Sequence, residues 1–404
     1  MLTVAIISEY NLFHKGHEHQ IKEIRRELGD DTRIIAIMSG NFTQRGQLAI
    51  ADKYVRAKAA VLCGANLVLE LPFPYSMSSA EFFARSAVHI ANSLGVVDYL
   101  SFGSESGNID DLLKIKNNME SEEYNQKLAL AISNNKGEKS GYPKLCEDIY
   151  RECYGECMTD ISAPNNILSI EYLKALSYLN SDIKPHTIKR VGAGYNDAFS
   201  ADEEFQSASA IRNLMSKDVV SALNYVPENA KNAFLDAFND GSLPCDEAKL
   251  DAAVISSFRL NSPKDEDQIH DTVGGLYNRL HSASFEANSI SSLLKKAETK
   301  KFTRARIRRA IWYSYFGVTS SEIRALPEYT QLLATDVYGQ AILKEIKKVG
   351  GFPILTKPSA IDKLPEKTKT QKMLSDRADS VFQLTKNKSV SGNYSLTCTP
   401  FVKK

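Results

Sequence analysis

Through the first two hundred residues, short apolar runs alternate with segments whose apolar residues recur at helical spacing, and this alternation limits the fold more than any other feature of the chain. Residues 2–7, 33–38, 67–71 and 99–102 are apolar for most of their length, as strands buried on both faces are. Between them Ile21, Ile24 and Leu28, then Val55, Ala59 and Leu62, then Phe82, Ala87 and Ile90 mark helices. A repeated β-α order predicts an α/β fold: a doubly wound, mostly parallel sheet with helices on both faces. Ligands of such sheets lie outside the carboxyl ends of the strands, where the strand order reverses. The first strand ends near Ser8, so the loop from Glu9 to Gly16 is the place to seek chemistry.

The pattern is interrupted twice. Residues 110–160 turn polar, with Asn117, Asn118, Asn134, Asn135 and Gly137, and predict a helical insertion. The α/β order resumes with a helix over 166–179, a strand over 186–190 and a helix over 208–216. Beyond Asp218 strand signals become rare and amphipathic helices dominate to about Phe316; a helix over 370–384 and a strand-like tail follow. With 404 residues the chain suits two domains. The expected division is a sheet-bearing domain over 1–217 and a mainly helical domain over 218–404.

The loop after the first strand reads His14-Lys15-Gly16-His17 and leads into a helix expected to start near His17. A helix N-terminus presents unpaired N–H groups and partial positive charge, so it attracts phosphate. Gly16 lacks a Cβ and lets a nucleotide approach the backbone. Two imidazoles three residues apart can both donate hydrogen bonds to one ligand. Such donors lower the barrier to transfer at an α-phosphorus, where charge grows on the equatorial oxygens. His14, His17 and His19 as metal ligands lack a carboxylate or cysteine at recognisable spacing, and a structural pair at a helix cap is the other competing reading. The phosphate loop GxxxxGK[ST] and a complete GxGxxG are both missing.

A second element opens a later helix: Ser207-Ala208-Ser209-Ala210-Ile211-Arg212. Its two hydroxyls and its arginine suit the leaving pyrophosphate, with Lys15 beside them. Nucleotidyltransferases of the HxGH class carry a Ser/Thr-Ser/Thr-x-x-Arg signature here; an ordinary serine cap with a solvent-facing arginine is the plain alternative.

Further blocks make the likeness specific. They are Ser39-Gly40-Asn41-Phe42-Thr43-Gln44-Arg45-Gly46, Glu70-Leu71-Pro72-Phe73-Pro74-Tyr75, Phe102-Gly103-Ser104-Glu105, Pro164-Asn165-Asn166-Ile167-Leu168 and Ile188-Lys189-Arg190-Val191-Gly192-Ala193-Gly194-Tyr195. With HKGH, in this order, they make the chain resemble the bacterial tRNA(Met) cytidine acetate ligases over most of its length. The resemblance implies a Rossmann-type, HxGH nucleotidyltransferase-like domain. It implies two steps: acetate attacks ATP to give acetyl-adenylate, and the wobble cytidine of elongator tRNA(Met) takes the acetyl group. It places ATP contacts on Ile7, Ser8, Glu9, Tyr10, Asn11, Phe13, Gly16 and Gln20, then on Gly103, Asn165, Asn166 and Arg190. His14, His17 and Lys15 are the expected catalytic groups, with Ser207, Ser209 and Arg212 on the phosphates. Magnesium is expected with ATP, and no protein metal site is expected. Gln44 and Arg45 lie on a Gly-flanked loop that closes over the site or is a solvated turn.

Net charge is +1, so a contact with nucleic acid needs a local patch. Residues 295–309 supply one: Lys295, Lys296, Lys300, Lys301, Arg304, Arg306, Arg308 and Arg309 stand there with a single acid, and Phe302, Trp312 and Tyr313 suit stacking on an unpaired base. After Pro327-Glu328-Tyr329 the chain reads Gln331-Leu332-Leu333-Ala334-Thr335 where the family has another block, which puts any role of that block in doubt. Six cysteines without a CxxC pair argue against a zinc knuckle and a disulfide framework. Glu9 comes too early for a signal-peptide core, and no run is long enough to cross a bilayer. A reduced cytoplasmic enzyme with no obligatory protein partner is expected. A small-molecule adenylyltransferase making a dinucleotide-type cofactor is the alternative.

Overall fold

A computed structural model describes residues 1–134, 141–157, 159–190, 206–261, 268–388 and 391–404. At its centre is an eight-stranded sheet. The strands are β1 (Thr3–Ser8), β2 (Arg33–Ser39), β3 (Leu67–Leu71), β4 (Tyr99–Ser104), β5 (Lys184–Lys189), β6 (Thr330–Thr335), β7 (Ile354–Leu355) and β8 (Phe401–Val402). Their order is β5-β4-β1-β2-β3-β6-β7, with β8 also paired to β6. β1 lies parallel to β2 on one side and to β4 on the other, so the strand order reverses between β1 and β4. Their carboxyl ends open the crevice where a doubly wound sheet binds its ligand.

Both faces of the sheet are covered at its centre, which is why β1, β2 and β3 are apolar for most of their length. Val4, Ile6, Ile34, Ala36 and Met38 pack on one face against α1 (Lys15–Leu28) and α2 (Lys53–Leu62). Ala5, Ile35, Ile37, Leu67 and Leu69 pack on the other, against α3 (Ala80–Ser93) and α7 (Pro164–Tyr178). Between α3 and α7 in sequence stand α4 (Ile109–Met119), α5 (Glu122–Ser133) and α6 (Tyr142–Tyr154), the helices of the polar stretch. The helix α8 (Ala208–Met215) returns to the first face, where Ile211 and Met215 are buried.

The second half supplies α9 (Glu228–Asn239), α10 (Asp251–Leu260), α11 (Leu276–Ser284), α12 (Ile290–Ala297), α13 (Arg304–Phe316), α14 (Val337–Lys348) and α15 (Glu366–Gln383). Helices α10 to α13 and α15 share a core with Phe42, Phe73 and Met77 from the loops of the first half.

Two features differ from the sequence reading. Helix α1 begins at Lys15 rather than near His17, because His14 is its N-cap. The sheet also crosses the expected boundary at 217 and 218. β6 runs antiparallel to β3, with Leu67 opposite Thr335 and Val68 opposite Ala334, and all six of its residues are buried. The cause is β3 itself, apolar on both faces and in need of a partner on its outer side. Gln331–Thr335, where the chain departs from the family pattern, is therefore sheet, and Gln331 Nε2 donates to the Tyr54 hydroxyl at 2.8 Å.

Candidate active site

The β1–α1 loop is fixed by a buried cation. Arg56, wholly buried on α2, donates to the carbonyls of Glu9 (2.5 Å), Ser39 (3.1 Å), Gly40 (2.5 Å) and Ala51 (2.9 Å). One guanidinium thus ties the end of β1 to the end of β2, and burial pulls its pKa down to about 10. Asn11 Oδ1 accepts from Ile50 N at 2.9 Å, and Glu9 Oε1 accepts from Gln44 N at 2.8 Å. The residue 43–47 strap is thereby drawn onto the loop that precedes α1.

His14 and His17 form a reciprocal cap. Gly16 N donates to His14 Nδ1 at 3.1 Å, and His14 N donates to His17 Nδ1 at 3.2 Å. A backbone N–H can only donate, so both Nδ1 atoms are acceptors and both protons sit on Nε2. The rings stack with centroids 3.8 Å apart, and the buried Tyr10 ring closes on His17 at 4.9 Å. Although each ring keeps some surface, both face into the crevice rather than bulk water. That burial, with Arg190 and Arg212 nearby, pushes the His14 pKa down to about 3. His17 is held well below its usual value by burial first, then by His14 and the same two arginines. The pair is neutral at physiological pH, two preset N–H donors rather than a proton relay.

Gly16 has a cause the sequence did not show. A Cβ there would stand 2.9 Å from His14 Cε1, so the glycine makes room for the folded-back ring. Gly103 at the end of β4 does the same for Arg190, whose Cγ would meet a Cβ at 3.2 Å.

These groups surround a cavity of about 250 Å³ at the β1/β4 switch point. Of the expected ATP contacts, Ile7, Ser8, Glu9, Tyr10, Asn11, His14, Gly16, His17, Gln20, Gly103, Asn165, Arg190, Ser207 and Arg212 line it. Asn165 Nδ2 donates to Glu105 Oε1 at 2.7 Å, and Arg190 Nη1 reaches Asn165 Oδ1 at 3.4 Å. Asn165 does not cap α7, whose N-cap is Ala163. Arg212 turns inward: Nη1 donates to Asn11 O at 2.6 Å and Nη2 to Ser209 Oγ at 2.9 Å. Ser207 does cap α8, accepting from Ala210 N at 3.2 Å.

Four expected residues do not line the cavity. Phe13 is buried in the core beside Tyr10. Asn166 is buried and bridges Glu105 N and Asp160 O, which fixes the loop before α7. Lys15, in the first turn of α1, and Ser209, bonded to Arg212, stand outside the lining. The sequence reading also missed part of the wall: His19, Gln47, Phe83, Phe102, Leu168, Tyr172 and Gln206 line it, and Gln44 and Arg45 belong to it. The aromatic members looked like ordinary core. Arg56 did leave a signal, a charge on the apolar face of α2. Residues 191–195 of the block quoted with Arg190 lie outside the described residues.

On the basic segment, Lys295, Lys296, Lys300, Lys301 and Arg304 are exposed. Lys296 pairs with Glu286 and Arg304 with Glu298. The other three arginines serve the fold. Arg306 donates to the carbonyls of Asp271 and Val273, Arg308 grips both Glu247 oxygens, and buried Arg309 pairs with Asp271 at 2.7 Å. The aromatic residues are not a stacking platform. Trp312 and Tyr313 are wholly buried and Phe302 nearly so, because α13 turns that side into the helical core. Trp312 Nε1 donates to Gly46 O at 3.1 Å, so α13 carries the strap that lines the cavity.

The HIGH nucleotidyl transferase model matches residues 1–395. The chain belongs to the HIGH nucleotidyl transferase family. Within this family it is 35% identical over 366 residues to the tRNA(Met) cytidine acetate ligase of Clostridium novyi (strain NT), covering 88% of this chain and 90% of that one. It is 36% identical over 362 residues to the protein of that name from Caldanaerobacter subterraneus subsp. tengcongensis, covering 88% and 89%. Among solved structures, Thermotoga maritima TmcAL bound with alpha-thio ATP superposes with a TM-score of 0.89 at 29% identity, over 100% of this chain and 99% of that chain.

Proposed function

We propose that this chain is a tRNA(Met) cytidine acetate ligase: it activates acetate with ATP as acetyl-adenylate and passes the acetyl group to the exocyclic amine of the wobble cytidine of elongator tRNA(Met). The observation that carries the chemistry is the pair of Nε2–H donors locked by the cap of α1 in the switch-point cavity. Both point where the α-phosphate of ATP lies if the helix N-terminus holds it, and both are neutral, so they stabilise growing charge without giving up a proton. Arg212 and Ser207, on the α8 side, suit the β- and γ-phosphates, while Gly103, Asn165 and Arg190 form the wall for the nucleoside. Ser209 acts through Arg212, and Lys15 contributes its charge from outside the cavity.

Magnesium would travel with ATP, held mainly by phosphate and water. This fits a cavity in which Glu9 is the only carboxylate among the described lining residues. No group of three or more His, Cys, Asp or Glu suited to a metal occurs among the described residues. The exposed Lys295, Lys296, Lys300, Lys301 and Arg304 supply phosphate contacts for the tRNA. Among the described residues no helix is long and apolar enough to cross a membrane, and we place the enzyme in the cytoplasm, working without an obligatory protein partner.

The deciding experiment is transfer of labelled acetate to total tRNA with and without ATP. ATP-dependent label in a tRNA cytidine is expected. Pyrophosphate release with another acceptor and no labelled tRNA would overturn the substrate assignment.

A further inference from the structure

The second step makes a demand that the first does not. When cytidine N4 attacks the acetyl carbon, the N4–C bond forms, the bond from that carbon to the phosphate oxygen breaks, and AMP leaves with the electron pair. N4 then sheds one of its two protons. After attack that nitrogen is strongly acidic, so a weak base suffices if it lies within hydrogen-bond reach.

The two histidines of the cap are unsuited to it. Each Nδ1 already accepts a backbone N–H, and each Nε2 already carries its proton. Among the described lining residues, Glu9 is the only carboxylate and His19 the remaining imidazole. Geometry separates these two. Glu9 sits where β1 ends, its carbonyl held by Arg56 and its Oε1 by Gln44 N, which leaves Oε2 for another partner. Gln44 belongs to the strap seated on α13 through Trp312 and Gly46, and α13 begins with the exposed Arg304, directly after the exposed Lys300 and Lys301. A Cβ at Gly46 would stand 2.8 Å from both Arg308 Cβ and Arg309 N, so strap and helix are in direct contact. Glu9 therefore stands at the junction of the nucleotide cavity and the RNA-facing half, while His19 lies further along α1.

We propose that Glu9 is the general base of the transfer step, accepting the N4 proton as the acetyl group passes from adenylate to cytidine. This rests on the acetate ligase reading. Glu9→Gln is the informative variant, since its amide oxygen can still accept from Gln44 N but cannot take the proton. Two rates are measured: acetate-dependent ATP–pyrophosphate exchange for the first step, and single-turnover acetyl transfer to tRNA for the second.

Glu9→Gln is expected to slow transfer by about a hundredfold or more, the usual worth of a general base, and at least about thirtyfold more than it slows exchange. Glu9→Asp, which keeps a carboxylate at this position, should recover part of the transfer rate. Equal loss of both rates, or exchange restored by added magnesium, would assign Glu9 to ATP or its cation and overturn the proposal. So would unimpaired transfer. A parent enzyme that exchanges pyrophosphate with acetate yet labels no tRNA would instead count against the acceptor assignment, which is a separable failure.

Discussion

Gly16 and the two histidines around it show how a four-residue motif becomes a site. The HKGH pattern was legible in the sequence, as was its place after the first strand. The tautomers were not, because they follow from which atoms the backbone of α1 occupies. Since Nδ1 is committed in both rings, neutrality is built in, and kcat/KM for pyrophosphate release should show no histidine inflection between about pH 5 and 8. Stability has its own sign. The unfolded chain protonates these histidines below about pH 6.5 while the folded chain resists, His14 until about pH 3, so stability should fall as pH drops through that window. A denaturant series across pH, compared with His14→Gln, checks it. Gly16→Ala separates fold from function. It should leave the melting temperature within about 3 °C, since alanine suits a helix better than glycine, yet reduce turnover about tenfold or more by displacing the His14 ring.

At the scale of elements, α13 carries two kinds of arginine that look alike in a sequence. Eight cations in fifteen residues read as one patch, but helical geometry divides them: exposed groups gather near Lys300, Lys301 and Arg304, while Arg308 and Arg309 turn inward to Glu247 and Asp271. The expectation of stacking on Trp312 and Tyr313 failed for the same reason, as the pattern does not say which face of a basic, aromatic helix finds a core. The two classes should respond differently. Lys300→Ala with Lys301→Ala should weaken tRNA binding, lower the salt slope by about one for each phosphate no longer neutralised, and leave pyrophosphate exchange intact. Arg309→Ala should instead lower stability by about 1–3 kcal/mol, because it removes the shorter of the two arginine contacts to half-buried Asp271 and leaves only Arg306 at 3.9 Å, with tRNA affinity falling only as far as folded protein is lost. Filter binding at several salt concentrations and urea unfolding distinguish the cases.

Across the whole molecule, the first half of the sheet was legible because parallel strands buried on both faces are conspicuous, and β6 was not, because one short run among helices carries little signal. The same holds for the polar cluster that joins the halves. Lys53 Nζ lies 2.8 Å from both Glu70 oxygens and 2.5 Å from Asp379 on α15, and Asn41 Nδ2 also reaches Asp379 at 2.8 Å. Two carboxylates around one ammonium hold the lysine pKa well above its usual value even against burial. Lys53→Met would leave two facing buried carboxylates and should cost about 3–5 kcal/mol in urea unfolding, with the loss shrinking as lower pH protonates Glu70, whose pKa burial raises to about 6. The pairing of β6 with β3 has a consequence for anyone who wishes to divide this protein. A fragment ending at residue 217 would keep every group of the cap, yet it would bare a ladder of unpaired N–H and C=O groups along β3, a strand apolar except for Glu70 and a template for intermolecular pairing. Such a fragment should collect as oligomers in size-exclusion chromatography. The natural partner of that exposed strand lies more than a hundred residues beyond the cut.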